Sequence, residues 1–507
     1  MRNKTICRLN IQPIKVLQSM LKLSRVPVFS ILAATALCTA TATAQVPDLP
    51  SKIHYPPLDW KVPLGAPYRQ VLDNGLIAYI AEDHTLPYFR LSGILRYGTI
   101  CDPPGKEGLS SLMASAMRAG GTAAYQSDTL DAIIDLYAMH VSVSASETRM
   151  SFTCSCLSEY ADTCLYILSQ VLFHPAFEPK KVKKQTSNFL ESIAHRFDNP
   201  DPTLDATYEK AMYKDGQNSL LPTARTVGSI TGNDLVSLHK SIFKTENMLV
   251  AVAGNFSAAT IARKLATLFP KAGASSNNVV FPPIAVKPLA RSVLVNRPIS
   301  QSYIRMGLPL FKRPNDDFYA VQVLNLVLGG EGFTSRLGSK VRSDEGLAYT
   351  IFSAAESNYT YPATFFIEFH TKNETASRAL SLSIKEVERI REAGITDEEL
   401  AHAKKVLIDG LPSMFRSPAD IVENYADNEY LGRSANHFAV YPDKVNALTK
   451  ADILTVAKKY LDPAAITYTV VGDTAAVFKA DTIAGFSLRS KKPCVAVNVP
   501  DSLFRLK

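Results

Sequence analysis

The residues that could carry acid–base or metal chemistry are few and widely separated in this chain of 507 residues. Glu191 and His195 are one helical turn apart, so a helix would place both side chains on one face. One carboxylate and one imidazole cannot hold a zinc ion against water, and we therefore expect a solvated helix face there. The other histidines form no set with metal-ligand spacing: His54, His84, His140, His174, His239, His370, His402 and His437.

Composition and short motifs exclude several classes of function. Residues 329–332 read Gly-Gly-Glu-Gly, but no Gly-Lys-Ser/Thr follows, so this is not a phosphate-binding loop. The sequence also lacks the Gly-x-Ser-x-Gly element of serine hydrolases. The formal net charge is +8, but residues 1–44 hold six basic groups and no acidic one, which leaves the remainder at +2. Nothing in that balance indicates nucleic acid or an anionic membrane as a partner.

Residues 108–121 (GLSSLMASAMRAGG) have a clear helical pattern. Apolar side chains recur at i, i+3, i+4, i+7 and i+8 from Leu109, as in a helix that buries one face. The Gly120-Gly121 pair then ends the segment. The pattern alone predicts an ordinary core helix.

The chain contains an internal duplication. Thr231, Asp234 and Gly254 have counterparts at Thr449, Asp452 and Gly472, all displaced by the same number of positions. The constant offset runs through a helix predicted from Asp234, a strand and the glycine that ends it, which indicates two copies of about 200 residues. Residues 141–146 and 150–156 alternate by twos as in a hairpin, and a helix over residues 318–328 precedes Gly329-Gly330 as the helix at 108–121 contains Gly120-Gly121 at its end. Strands, helices and hairpins interleave within each copy, so each should be a mixed sheet covered by helices.

The duplication and the composition divide the chain into five segments. We predict a signal peptide (1–44), a proline-rich extended arm (45–67), a first domain (68–270), a linker rich in Gly, Ser, Asn and then Pro (271–290), and a second domain (291–507). The five cysteines after the signal form no disulfide framework. Cys154 and Cys156 are expected to be small buried hydrophobic residues.

The N-terminus has the layout of a secretory signal. A basic region to Arg25 leads into an apolar run (26–38) that is too short to span a bilayer, and Ala42-Thr43-Ala44 offers a small-x-small cleavage site. Translation could start at Met1 or at Met20, which would leave a signal of more usual length. We expect an exported chain, periplasmic or secreted. An acid-free, arginine-bearing start also resembles a mitochondrial transit peptide, which stays as the alternative.

With its flanks, the helix at 108–121 resembles the zinc helix of the insulinase (pitrilysin-type) metallopeptidase family. That family has H-x-x-E-H here, with two imidazoles on the metal and a glutamate as base. The matching positions include Ser111, Ala114 and Ser115, and serine is a poor zinc ligand while alanine cannot accept a proton. The resemblance places the family's third ligand at Glu191. It implies an α+β fold of two homologous mixed-sheet α/β-roll domains arranged as a clam-like pair.

The most specific match to the family is the run from Gly329 to Tyr349. It contains a glycine-rich loop, Ser335-Arg336-Leu337, and then an arginine followed by Gly-Leu-Ala-Tyr. The resemblance gives Arg342 and Tyr349 the role of contacting the substrate backbone beside the zinc. A guanidinium and a phenol can both stabilise a tetrahedral oxyanion. The alternative is an arginine in a surface ion pair and a tyrosine that caps the core.

Three functional hypotheses follow. The first is a non-catalytic subunit of a heteromeric zinc peptidase, which is inactive alone and holds no zinc itself. It would bind an extended peptide, with residues 141–146 as a candidate sheet edge, and supply Arg342 and Tyr349 to a zinc-bearing homologue. The second is a peptide-binding or assembly module without a role in proteolysis. The third is a stand-alone peptidase with unconventional ligands.

Overall fold

The computed structural model describes residues 60–213, 221–273, 279–288, 291–481 and 486–497. The predicted signal peptide, most of the arm and parts of the linker lie outside these ranges, and the predictions on them stay untested. The described residues from 61 onward form one compact unit. Within the described ranges, no helix has the length and apolar character needed to cross a membrane.

The first half of this unit contains one six-stranded mixed sheet. Its strands are β1 (Arg69–Val71), β2 (Ile77–Glu82), β3 (Tyr88–Leu95), β4 (His140–Ala145), β5 (Met150–Leu157) and β6 (Met248–Gly254). Their order is β1-β2-β6-β3-β5-β4, in which β2 and β6 are parallel and the other neighbours antiparallel. β4 and β5 are the hairpin that the alternating pattern predicts, and β4 is an edge strand.

The second half contains a sheet of matching topology. Its strands are β7 (Ser292–Asn296), β8 (Gln301–Pro309), β9 (Ala348–Ala355), β10 (Thr364–Lys372), β11 (Thr467–Gly472) and β12 (Cys494–Val497). The order is β12-β7-β11-β8-β10-β9, so five strands repeat the order and directions of the first sheet. The outer strand differs, because β12 runs parallel to β7 whereas β1 runs antiparallel to β2. The predicted fold of two homologous mixed-sheet domains is confirmed.

Helices cover both sheets. Those of the first half are α1 (Leu109–Ala119), α2 (Ser127–Leu136), α3 (Ala161–Phe173), α4 (Pro179–His195), α5 (Pro200–Met212), α6 (Ala224–Gly228), α7 (Gly232–Ile242) and α8 (Ala258–Leu268). Those of the second half are α9 (Phe318–Asn325), α10 (Ala376–Ala393), α11 (Asp397–Asp409), α12 (Pro418–Tyr430), α13 (Tyr441–Asn446), α14 (Lys450–Tyr460) and α15 (Thr474–Ala480). Each sheet has its own large hydrophobic core, so each copy buries its own apolar face.

The repeated threonines are helix caps. The hydroxyl of Thr231 accepts from the backbone N–H of Asp234 at 3.2 Å, and the Asp234 carboxylate accepts from the N–H of Thr231 at 2.7 Å. Thr449 and Asp452 repeat this capping box at 3.3 and 2.8 Å. The predicted start of α7 at Asp234 is therefore wrong: α7 begins at Gly232, and Asp234 is its third residue.

The two halves exchange helices. α5 of the first half packs on β8 and β11 of the second sheet, while α12 of the second half packs on β2 and β6 of the first. Both helices begin at a proline and have 13 residues, and they are separated by the same sequence offset as the repeated threonines. Tyr208 of α5 is fully buried and donates to the hydroxyl of Thr364 at 2.7 Å. The duplication therefore extends to the contacts that join the halves.

The helix that ends at Gly329-Gly330 differs from its sequence-based prediction. The pattern predicts one helix through residues 318–328, but α9 ends at Asn325 and a wider π-helical turn follows from Leu326 to Gly330. Ser353 contacts the chain where α9 ends, since its hydroxyl lies 2.8 Å from the side-chain amide oxygen of Asn325 and 3.3 Å from its backbone carbonyl oxygen. The widened turn brings the backbone of Gly329 close to Ser353, where a Cβ would lie 2.6 Å from the Ser353 nitrogen.

Candidate functional site

α1 presents the positions of the family's zinc motif beside the edge strand β4. The helix packs along β4 and against α4 and α7. Ser111 is partly buried and Ser115, one turn later, is exposed and donates to the carbonyl of Ser111 at 3.1 Å. Ala114 is only 1% exposed. These three positions offer two hydroxyls and a methyl group, which hold no divalent ion and accept no proton at neutral pH.

A buried carboxylate that the sequence analysis missed holds the start of α1. Asp102 is 2% exposed and accepts from the backbone N–H groups of Gly108 at 3.0 Å and Ser110 at 3.1 Å. Burial raises its pKa to about 6, although hydrogen bonds from Ser110 and Gly108 oppose the rise. A carboxylate at a helix N-terminus also interacts favourably with the helix dipole. Asp102 therefore positions α1 rather than reacting.

Ser111 lines a cavity of about 430 Å³ between α1, α4 and the tip of the β4–β5 hairpin. Three carboxylate side chains, those of Glu107, Glu147 and Glu209, share its wall with one guanidinium, that of Arg196. The remaining wall is mostly apolar: Ile100, Phe189, Ile193, Leu221 and Pro222. The cavity thus has a wall rich in carboxyl groups where the family would hold a metal.

Glu209 is the most perturbed carboxyl in this cavity. Burial raises its pKa to about 8, and the negative charges of Glu356 and Glu147 add to that effect. The pKa of Glu147 is also raised by burial, against a hydrogen bond from Tyr361. Glu147 and Glu209 come from the first half, whereas Glu356 and Tyr361 come from the second. The boundary between the halves therefore contains carboxyl groups that resist ionisation.

Arg342 and Tyr349, the two residues of the second motif, lie together at the surface. The guanidinium carbon of Arg342 lies 4.9 Å from the ring centre of Tyr349 and 3.8 Å from that of Phe333. Tyr349 is 85% exposed and Phe333 is 64% exposed. Among the described residues, no protein group forms a hydrogen bond or ion pair with the Arg342 guanidinium. Both side chains can therefore offer donors to a ligand while aromatic faces hold the cation in place.

The rest of the motif holds this pair in position. Arg336 donates to both carboxylate oxygens of Glu399 at 2.7 Å and to the carbonyl of Gly394 at 3.0 Å. Gly346 has φ 61°, a backbone conformation that favours glycine, just before the chain enters β9. Phe333 was missed in the sequence analysis, although an aromatic residue inside a glycine-rich loop was the available signal. The motif thus divides into supporting residues and an Arg–Tyr pair at the surface.

Glu191, the third ligand position of the family, is exposed on α4 and is not among the residues that line the cavity of Ser111. His195 is exposed and its Nδ1 lies 2.8 Å from a carboxylate oxygen of Asp198, whose hydrogen bond raises the histidine pKa. The prediction of a solvated helix face is confirmed for this pair. With serine and alanine at the motif positions, the residues present do not fit the family's zinc ion.

β4 offers a partly free sheet edge beside α1. Its inner side pairs with β5, and Arg118 of α1 donates to the outward carbonyl of Val141 at 3.2 Å. In an antiparallel ladder, alternate residues direct both backbone groups to the same side, so Val143 and Ala145 also face outward. Asp131 pairs with Arg118 at 2.7 Å and fixes it at this edge. An extended peptide could add here as a further strand.

Comparison with known proteins supports the same relationship. The model of the insulinase family (peptidase family M16) matches residues 93–224, and that of the M16 peptidase inactive domain matches residues 229–407. A Helicobacter pylori protein named non-peptidase homolog YmxG is 24% identical over 398 residues, covering 77% of this chain and 90% of that protein. An uncharacterized zinc protease YmxG of Bacillus subtilis is 25% identical over 370 residues, covering 72% and 88%.

Solved structures agree on the fold. An M16 peptidase inactive domain from Pseudomonas fluorescens superposes with a TM-score of 0.71 at 20% identity, over 80% of this chain and 97% of that one. A protease from Helicobacter pylori gives a TM-score of 0.69 at 16% identity, over 80% and 98%. With both halves matched and the zinc motif replaced, the chain belongs to the insulinase (M16) peptidase family as a homologue of its inactive type.

Proposed function

We propose that this protein is the non-catalytic subunit of a heteromeric zinc peptidase, which binds extended peptides and supplies Arg342 and Tyr349 to the zinc site of a partner. The partner would be a family member that carries H-x-x-E-H. This chain would contribute no metal of its own to the reaction. Its donors would stabilise the oxyanion that develops on the substrate carbonyl.

The observation that carries the proposal is that the Arg342 guanidinium, at the surface, pairs with no carboxylate of the described residues. Arg336 of the same motif, by contrast, pairs with Glu399. Arg342 instead lies between two exposed rings, of which Tyr349 is the more exposed. Keeping these groups at the surface has no evident benefit for folding. A ligand that accepts hydrogen bonds would give them a function.

Peptide binding is supported by the edge strand. The outward groups of Val143 and Ala145 can pair with an extended backbone, which gives affinity without demanding a particular sequence. α1 lies beside this edge, and its Ser111 lines the carboxyl-rich cavity. In an active member of the family this helix would supply the metal. Here it leaves a peptide-binding edge next to a helix without catalytic groups.

A non-proteolytic binding module is the second candidate. The name of the Helicobacter pylori relative, non-peptidase homolog, favours it. The surface Arg342–Tyr349 pair favours the first candidate. A stand-alone peptidase has the least support, because the motif positions offer no imidazole or carboxylate.

A reconstitution assay separates the candidates. The purified chain, a family homologue that carries H-x-x-E-H, and their mixture would each be tested on a library of fluorogenic peptides. We expect cleavage by the mixture well above the sum of the separate proteins. Arg342→Ala and Tyr349→Phe should each lower kcat of the mixture by about 100-fold, the typical effect of removing an oxyanion donor.

Matched controls are available on the same molecule. Arg263→Ala and Tyr166→Phe change an exposed arginine and an exposed tyrosine of the first half and should leave the activity of the mixture unchanged. Peptide binding without activity in any mixture would favour the second candidate. Cleavage by the isolated chain at the rate of the mixture would refute the proposal.

We also propose that the chain works outside the cytoplasm. The layout of residues 1–44 supports export, with cleavage after Ala44. N-terminal sequencing of the protein recovered from a periplasmic or culture fraction should begin at Gln45. Recovery of the uncleaved chain in the cytoplasm alone would contradict this assignment.

A further inference from the structure

A histidine and two carboxylates converge where the first-half helix α5 crosses the second sheet. Asp201 lies in the first turn of α5, and Glu368 and His370 stand at alternate positions of β10, so their side chains share one face of the strand. The Nε2 atom of His370 lies 3.2 Å from a carboxylate oxygen of Asp201 and 3.9 Å from one of Glu368. One ligand atom from each residue lies within 4.8 Å of the others.

The separation between His370 and Asp201 fits a small coordination sphere, and Glu368 lies slightly farther away than such a sphere requires. Zinc binds imidazole nitrogen and carboxylate oxygen at about 2.0–2.2 Å, so neighbouring ligand atoms in a tetrahedral site lie about 3.3 Å apart. A borderline metal such as zinc accepts this mixed nitrogen–oxygen set, whereas magnesium and calcium prefer oxygen ligands alone. Asp201 has 58% of its side chain exposed, which leaves room for a water molecule in the fourth position.

Surrounding residues hold two of the ligands in orientation. The His370 ring rests against Tyr303, with ring centres 4.1 Å apart. Arg305 donates from its Nε to one oxygen of Glu368 at 2.6 Å, which leaves the other oxygen for the cluster. Asp205 accepts from the same guanidinium at 2.6 Å. Such outer contacts fix metal ligands in proteins and tune their affinity.

The local charge suits a divalent cation. The cluster and its surroundings contain three carboxylates, those of Asp201, Asp205 and Glu368, and one guanidinium, that of Arg305, which pairs with Asp205 and Glu368. With a neutral imidazole the group carries a net charge of −2. The outer end of the cluster is open to solvent, so an ion could enter without a rearrangement of the fold.

We propose that Asp201, Glu368 and His370 bind one divalent transition-metal ion, with zinc as the first candidate. The ion would link a helix of the first half to the sheet of the second half and stabilise their contact. This site is separate from the degenerate motif on α1. It supplies no peptidase activity, and it does not depend on the proposed subunit function.

Metal analysis of the full chain tests the site. Protein freed of metal by chelation would be equilibrated with micromolar zinc and dialysed, and its bound zinc would be measured. A second sample, loaded with cobalt instead of zinc, would be measured for visible absorption. We expect about one ion per chain. Asp201→Asn and His370→Ala should each weaken zinc binding by about 100-fold or more, since even outer-shell changes cost 10- to 100-fold.

A control variant and a stability readout make the test specific. His402→Ala removes another exposed histidine, which pairs with Glu331 at 2.7 Å, and should leave the zinc stoichiometry unchanged. Zinc should raise the Tm of the wild type and of His402→Ala but not that of Asp201→Asn, which keeps the side-chain volume. Peptidase activity of a mixture with the partner should not follow the metal content of this site.

Three results would overturn the proposal. The wild type could retain no zinc at micromolar concentrations, both ligand variants could bind as much zinc as the wild type, or the zinc-dependent rise in Tm could persist in both. Each would leave His370 as an ion-pair partner of two carboxylates. None would bear on the reconstitution assay, so failure of one proposal can be told from failure of the other.

Discussion

Replacing Glu209 with glutamine should remove a large pH dependence of stability. Glu209 lies on α5, at the cavity beside α1 and close to the boundary between the halves. Its pKa of about 8 reflects burial first, and then repulsion from Glu356 and Glu147. Glutamine has nearly the same shape and cannot ionise, so it imitates the protonated form that the folded state prefers.

The sign and size follow from proton linkage. The ordinary glutamate pKa is 4.5, so between about pH 4.5 and pH 8 the folded chain holds a proton that the unfolded chain has released. Stability therefore falls as pH rises through this window and levels off above it. At about 1.4 kcal/mol per pKa unit, the rise of the Glu209 pKa corresponds to a loss of about 5 kcal/mol of unfolding free energy across this window. The side chain keeps some contact with solvent, so we expect about 2 to 5 kcal/mol.

Chemical unfolding measured at two pH values gives the difference directly. Wild type and Glu209→Gln should have similar unfolding free energies at about pH 5, where Glu209 is protonated in the folded state. At about pH 9 the variant should be more stable by about 2 to 5 kcal/mol. Glu392→Gln removes an exposed carboxylate of α10 and should give no such difference. Glu356→Gln should reduce the pH dependence in part, because it removes one of the repelling charges.

A particular result would refute this reasoning. If Glu209→Gln is as sensitive to alkaline pH as the wild type, Glu209 must ionise near its ordinary pKa. Burial and the neighbouring carboxylates would then be compensated by a cation or by water in the cavity. The claim that the halves meet through protonated carboxyl groups would fail with it.

Three further predictions concern elements that position the site. Thr231→Ala and Thr449→Ala should each lower the unfolding free energy by about 1 kcal/mol, and the double variant should show additive losses because the caps lie in different halves. Gly254→Ala should lower the unfolding free energy, measured by thermal melting, by about 2 kcal/mol or more, because φ is 145° and a Cβ would lie 2.0 Å from the carbonyl oxygen of Tyr88. The control Gly232→Ala should be nearly neutral, because a Cβ there would point into open space. Arg336→Lys should lower the unfolding free energy, measured by denaturant unfolding, by about 1 to 3 kcal/mol. A lysine cannot keep both hydrogen bonds to the Glu399 carboxylate.

The sequence was a good guide where structure depends on nearby residues. The constant offset between the repeated motifs predicted two copies, and the paired capping boxes and the five matching strands confirm it. The β4–β5 hairpin followed from simple alternation. Helix boundaries were harder to predict from the sequence. Thr231 and Asp234 are both residue types that often begin a helix, and only their hydrogen bonds show that Thr231 is the cap and Asp234 lies inside the helix.

The exchange of helices was beyond local patterns. α5 and α12 both begin at a proline, as duplicated helices would. The apolar stripe of each helix shows that it is buried against something, but not which of the two sheets it covers. Local sequence patterns could not predict the cluster of Asp201 and His370 either. These two residues belong to different copies of the duplication and meet only because α5 crosses to the other half. Glu147 and Glu209 were missed for that reason too, since their roles depend on tertiary neighbours.

α1 shows how a family member can lose the side chains of the zinc motif and keep its fold. Leu112, Met113 and Met117 are at most 1% exposed and pack in the first core, so they maintain the position of the helix. Ser111 and Ser115 lie outside that core, where a change from histidine removes ligands without removing apolar contacts. Ala114 is an exception, because it is buried and a glutamate there would need a partner. Without zinc, alanine would therefore be favoured over glutamate at position 114. Because the core stays intact, the Arg342–Tyr349 pair can keep its position at the surface and bind a ligand.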